Sequence, residues 1–249
     1  MARTFLLFVI FFQTLFLSCD EKQEMNWQNS WECNVFPAEH EISQDEDSGA
    51  KIVFATTNQS KDLNLYFDLN CWTADLSMLV FTSDRTGRNE LFGYLPKTGE
   101  LVQLQEPDKS LAENATVDYK TSDIYVVREN IAYQWHITIT YAENDQQRSQ
   151  VMIDERQIAP APDGCRFFMG FTQRADSHEL SAGLSYANSD KQDIVSIDIT
   201  SGKIKTLACP ATSLLGNLVF ATLASTAASY WSGPSILRSG LSALAIFVA

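Results

Sequence analysis

Thr98-Gly99-Glu100-Leu101-Val102-Gln103-Leu104 sets a Thr-Gly turn directly before a short run of apolar and polar residues that alternate as in a strand. The same sentence is written twice more, as Ser48-Gly49-Ala50-Lys51-Ile52-Val53-Phe54 and Ser201-Gly202-Lys203-Ile204-Lys205-Thr206-Leu207. The glycines lie 50 and then 103 positions apart. The longer interval is close to two periods. A degenerate copy without the glycine, Arg148-Ser149-Gln150-Val151-Met152-Ile153, falls where the missing one belongs. A repeat of this length points to an array of small β-sheets, the blades of a propeller, because one such sheet cannot bury its apolar faces alone.

Outward from these turns the chain keeps one texture. From Lys51 onward, short runs of Val, Ile, Phe, Tyr and Thr alternate with Gly, Asn, Asp and Ser turns, and no amphipathic helix interrupts them. The best-formed unit predicts four strands at Asp68–Thr73, Met78–Ser83, Leu91–Leu95 and Leu101–Gln105. A second unit spans residues 115 to 154. One of its strands alternates cleanly, with Tyr133, Trp135, Ile137 and Ile139 on one face and Gln134, His136 and Thr138 on the other. A third unit spans residues 166 to 207, where Pro162-Asp163-Gly164 reads either as an inter-blade loop or as the first hairpin turn. The expected fold is all-β, a partial propeller of three to four four-stranded antiparallel blades over residues 48–207.

The chain has 249 residues, 45% of them apolar and 11% aromatic, enough for one main globular domain. Its formal net charge of -13 repels phosphate backbones, and no basic run offers counterion release, which excludes nucleic acid as a partner. The same charge opposes a polyuronate unless arginines or lysines cluster locally.

Both ends depart from the repeat. Arg3, the apolar run from Phe5 to Phe12, and Leu15-Phe16-Leu17-Ser18-Cys19 have the layout of a secretory signal over residues 1–19. The small residue before Cys19 resembles a bacterial lipobox, with Phe16 in place of the usual Leu. That makes Cys19 the expected lipid attachment site and the cell envelope, periplasmic or outer-membrane, the expected location. Residues 20–47 are polar and acidic, with Trp27 and Trp31 isolated, and read as a linker with little regular structure. Residues 208–249 form an atypical tail, since positions 206 to 237 carry no charged side chain while a fifth of the whole chain is charged. A membrane helix and a stretch foreign to the repeat, from a frameshift or truncation, are the two readings. Cys33, Cys71, Cys165 and Cys209 are widely spaced with no Cys-x-x-Cys pair, so they read as isolated thiols and not as a zinc site.

Trp72-Thr73-Ala74-Asp75, the run Leu79-Val80-Phe81-Thr82-Ser83-Asp84-Arg85-Thr86-Gly87-Arg88, Leu91-Phe92 and Lys97-Thr98-Gly99-Glu100 resemble the WD40-like repeat of TolB-type propellers. Within that group, Leu65 to Gln105 is most similar to the oligogalacturonate lyase family, whose members are seven-bladed. The match weakens across the next two repeats and is absent after Leu207. The resemblance implies β-elimination on oligogalacturonides in pectin degradation, with a histidine base and a manganese ion held by histidines and a glutamine of later blades. The removed proton lies α to a carboxylate, so a cation must neutralise the developing charge.

This chain offers only His40, His136 and His178, none in a paired ligand spacing, so no catalytic residue, metal ligand or cofactor is assigned. His136 reads as half exposed on a polar strand face, His40 as solvated, and Asp176 with His178 as too sparse for a dyad. By analogy with ligand sites at one end of a propeller channel, Tyr66, Asn70, Trp72, Arg85 and Arg88 are the candidate substrate-binding residues. Arginine grips a carboxylate with two parallel bonds and aromatics cover a sugar's apolar face. Against this, Trp72 and Phe81 read as packing between blades, and Arg85 as pairing with Asp84 in its turn. The expected partner is an oligogalacturonide or other acidic glycan, with the membrane reached through the lipid anchor. Two functions remain: a cell-envelope enzyme resembling oligogalacturonate lyase, or an incomplete and inactive copy of one, and a non-catalytic propeller that binds a glycan or an envelope protein.

Overall fold

A computed structural model describes residues 26–66, 69–106, 108–144, 147–208 and 245–248. Every regular element among them is a strand, and no helix among the described residues is long and apolar enough to cross a membrane. The signal-like segment, Cys19 and nearly all of the tail lie outside the described residues.

The strands form four antiparallel blades in chain order. The first pairs β3 (Glu41–Gln44) with β4 (Lys51–Phe54), and β17 (Ala245–Val248) adds to β4. The second holds β5 (Asp62–Asn64), β6 (Leu79–Ser83), β7 (Glu90–Tyr94) and β8 (Leu101–Gln103). The third holds β9 (Glu113–Val117), β10 (Ile124–Arg128), β11 (Ile131–Thr140) and β12 (Gln150–Pro160). The fourth holds β13 (Cys165–Gln173), β14 (Glu179–Tyr186), β15 (Gln192–Asp198) and β16 (Ile204–Ala208). Pro162-Asp163-Gly164 is therefore the loop between the third and fourth blades.

The repeated Ser/Thr-Gly turns all perform one task. Gly49, Gly99 and Gly202 have φ of 70°, 78° and 69°, a region open to glycine, and they precede β4, β8 and β16. Their N–H groups donate to the carbonyls of Asp45, Leu95 and Asp198 at 2.9, 2.7 and 2.8 Å. The degenerate copy at residues 148–153 leads into β12, the last strand of the third blade.

Apolar cores lie between blades, as the repeat requires. Val53 and Ala55 meet Leu79, Phe81, Phe92 and Tyr94 between the first two blades. Val80, Leu91 and Val102 meet Val126, Trp135 and Ile153 between the second and third. Tyr125 and Ile158 meet Phe167, Leu180, Leu184 and Val195 between the third and fourth. Phe81 thus packs between blades, and Trp72 lies against the same core at its edge.

Two expectations are corrected. The segment read as a linker holds three strands: besides β3, β1 (Asn29–Glu32) pairs with β12 and β2 (Asn34–Phe36) with β8. It runs along the outside of two blades as a strap, with Trp31 buried against Trp135 at 5.4 Å and donating from Nε1 to the Leu104 carbonyl. The first strand of the second blade is β5, not Asp68–Thr73. Asn70 donates from its amide to the carbonyls of Trp72 and Val117, which turns the chain there, and Trp72 makes a single bridge to Leu79.

Candidate functional site

The strand register separates the five residues grouped by analogy. Asp62 pairs with Ser83 and Asn64 with Phe81, while Trp72 bridges to Leu79. Arg85 and Arg88 follow the end of β6, whereas Tyr66, Asn70 and Trp72 lie by its beginning. The two sets stand at opposite ends of a five-residue strand, about 13 Å apart along its axis. They do not share one binding face.

Both arginines pair with carboxylates of this chain, Arg85 buried and Arg88 with its side chain half exposed. Arg85 Nη1 lies 2.5 Å from Glu39 Oε1, and Nη2 reaches the two Asp62 oxygens at 3.2 and 3.1 Å. Its Nε donates to Ser83 Oγ at 3.0 Å, and the guanidinium covers the Phe92 ring at 5.2 Å. The side chain is only 7% exposed. The expected pairing partner, Asp84, instead accepts from the Lys61 backbone N–H at 2.8 Å. Burial explains the exchange, since the fully buried Asp62 carboxylate needs a counter-charge more than the exposed Asp84 does. Arg88 pairs with the buried Glu90 carboxylate, which also accepts from Thr86 Oγ1 at 2.6 Å and Gln103 Nε2 at 2.7 Å.

The histidines are likewise placed apart. His40, expected to be solvated, is half buried with Nδ1 3.2 Å from the Tyr94 hydroxyl and its ring edge-on to Tyr94. His178 makes no side-chain dyad; Asp176 accepts from its backbone N–H and pairs with Arg174. His136 holds Nδ1 2.6 Å from Asp123 Oδ1 with its side chain 45% exposed. Among the described residues, no group of three or more His, Cys, Asp or Glu side chains converges as a metal ion would require. The described residues do not fit the manganese site that the resemblance implies.

The polar groups that do converge lie on the side of the third blade that turns toward the fourth. Asp123 Oδ2 accepts from Gln134 Nε2 at 2.5 Å, Gln134 Oε1 accepts from Arg156 Nε at 2.7 Å, and Arg156 Nη2 donates to the Ile199 carbonyl at 2.9 Å. Burial holds the Arg156 guanidinium below the usual arginine range, opposed by Tyr125 and Asp123. Beside this chain, Asp118 accepts from the Tyr125 hydroxyl at 2.8 Å and from Gln173 Nε2 of the fourth blade at 2.5 Å. Burial first, and then the Asp118 charge, push the Tyr125 hydroxyl well above its ordinary pKa. The network ends at the solvent-facing His136 ring, where Trp27 lies 5.6 Å away at 31°. The alternation of β11 shows Gln134 and His136 on one face. Asp123, Arg156 and Trp27 come from elements that only strand pairing brings there.

No family model matches the sequence, and no curated protein matches it. Solved structures do resemble the fold. Oligogalacturonate lyase from Vibrio parahaemolyticus is 15% identical with a TM-score of 0.53, covering 71% of this chain and 48% of its own. An oligogalacturonate lyase in complex with manganese is 14% identical with a TM-score of 0.54 and the same coverages. A TolB-type protein of Agrobacterium tumefaciens overlaps 71% of this chain and 65% of its own at 10% identity and a TM-score of 0.44. The chain spans about half the length of the lyases it resembles. What it shares with the two lyases is the propeller fold.

Proposed function

We propose that this chain is an exported, lipid-anchored propeller of lyase-like lineage that binds a glycan at the cell envelope without cleaving oligogalacturonides by itself. The observation that carries the reading is the internal pairing of Arg85 with Asp62 and Glu39 and of Arg88 with Glu90. A uronate carboxylate needs guanidinium groups turned toward it, and these two already satisfy Asp62 and Glu90 of their own blade and Glu39 from the segment before the first blade. The net charge of -13 adds a general repulsion. Export and the lipid anchor rest on the apolar run ending in Ser18-Cys19.

The deciding experiment incubates the purified chain with oligogalacturonides and manganese and follows ultraviolet absorbance of the unsaturated product. No release above the buffer control is expected. Sustained release that is abolished by adding a chelator of the manganese overturns the reading. For the anchor, labelled fatty acid is expected in the wild type and not in Cys19→Ser.

A further inference from the structure

The outer part of the third blade carries a surface that the fold does not use. Across four strands, one row of residues shares a face: Ser30 is paired with Asp154, Asp154 with His136, and Asp123 lies beside His136 one step beyond the Ile124 to Trp135 pair. The fourth blade covers the inner part of this face through Tyr125, Val127 and Ala132. His136 remains nearly half exposed.

The row is built with some rigidity. Asp123 is buried and takes Gln134 on one oxygen and His136 on the other. A carboxylate on Nδ1 is met by an N–H there, which leaves Nε2 as the ring nitrogen turned away from Asp123. Nε2 has no protein partner among the described residues. Trp27, half buried, sets its indole beside the imidazole and supplies an apolar ring face. An aromatic face next to an imidazole nitrogen, a carboxylate and a hydroxyl is the chemistry that grips a pyranose: the flat C–H face on the indole, hydroxyls on the polar groups.

The electrostatics choose among sugars. The Arg156 guanidinium, on the same network, is buried and engaged with Gln134 and Ile199. Asp123 and Asp154 flank His136 on either side. The two negative charges oppose a uronate, and Asp154, unlike the fully engaged Asp123, accepts hydrogen bonds from uncharged hydroxyls.

We infer that Trp27, His136, Asp154 and Ser30 form a subsite for an uncharged sugar ring. The inference rests on the reading of the chain as a glycan-binding propeller and names the class of glycan. Purified full-length chain is titrated with cellohexaose, xylohexaose, mannohexaose and maltohexaose, with hexagalacturonate as the charged comparison. Tryptophan fluorescence and the His136 ring resonances are recorded together. At least one neutral hexaose is expected to shift both signals. Trp27→Ala and His136→Ala are expected to weaken that binding about tenfold or more, and Trp27→Phe to retain most of it.

Trp27 precedes the first strand, so Trp27→Ala is expected to keep the wild-type unfolding midpoint even if His136→Ala does not fold. Failure of all four neutral sugars at millimolar concentration overturns the inference. So does a neutral sugar whose binding is unchanged in Trp27→Ala, or a preference for hexagalacturonate. Binding of hexagalacturonate without cleavage would overturn the subsite and leave the proposed function standing. Cleavage of oligogalacturonides, with neutral-sugar binding still lost in Trp27→Ala, would do the reverse.

Discussion

Truncating Arg85 strands a carboxylate. Asp62 has a fully buried side chain, and Arg85 supplies its counter-charge. Arg85→Ala is expected to destabilise the fold by about 3–5 kcal/mol, the usual consequence of leaving one member of a buried pair behind. Urea denaturation measures it, and a loss below about 1 kcal/mol would show the pair to be solvated. Cys33 gives a second test. Burial, helped by Glu32, pushes its thiol up from the ordinary 9.0 to about 12. The folded state therefore keeps a proton that the unfolded state loses above pH 9. Stability from this group is intact below about pH 9 and declines as pH rises toward 12. At pH 8 the native protein is expected to react with a thiol reagent at Cys33 only on unfolding, and a Cys33→Ser variant should flatten the alkaline decline.

At the scale of elements, the strap of β1 and β2 ties two blades from outside. Trp31 is its main apolar anchor, edge-on to Trp135 and bonded to the Leu104 carbonyl. Trp31→Ala is expected to cost about 3–5 kcal/mol and to open residues 28–36 to proteolysis before the blades unfold. Limited proteolysis with mass analysis distinguishes this from global loss. The strap was not legible in the sequence because its strands are short and their partners remote. Gln28, for instance, accepts from the backbone N–H of Gln157. A period-2 pattern needs several residues to declare itself, and three or four do not suffice. The long strand β11 did declare itself, and its Trp135 and Ile137 lie in the core between the second and third blades.

For the whole molecule, the cores sit between blades and not within them, so neighbouring blades are expected to unfold together. Leu91→Ala, a change in the second blade, removes a side chain from the core shared with the third. A loss of about 2–5 kcal/mol is expected, with amide exchange accelerated in β9–β12 as well as in β5–β8. Acceleration confined to the second blade would mean that the blades fold independently.

The sequence by itself determined the rhythm of the fold, because the turns that mark it are local. A Ser/Thr-Gly pair with glycine in the left-handed region, followed by a short alternating strand, needs only neighbouring residues to form. It did not determine what the charged side chains do. Arg85 reads as a partner for adjacent Asp84 or as a surface ligand, and it became neither, because Glu39 and Asp62 arrive from 46 and 23 residues away. His136 was visible on its strand face, yet its bond to Asp123 and its contact with Trp27 depend on which strands pair and where the strap runs. Local chemistry sets turns and strand faces. The partners of buried polar groups are chosen by the cost of leaving any of them unpaired, and that cost is settled only once the blades have packed.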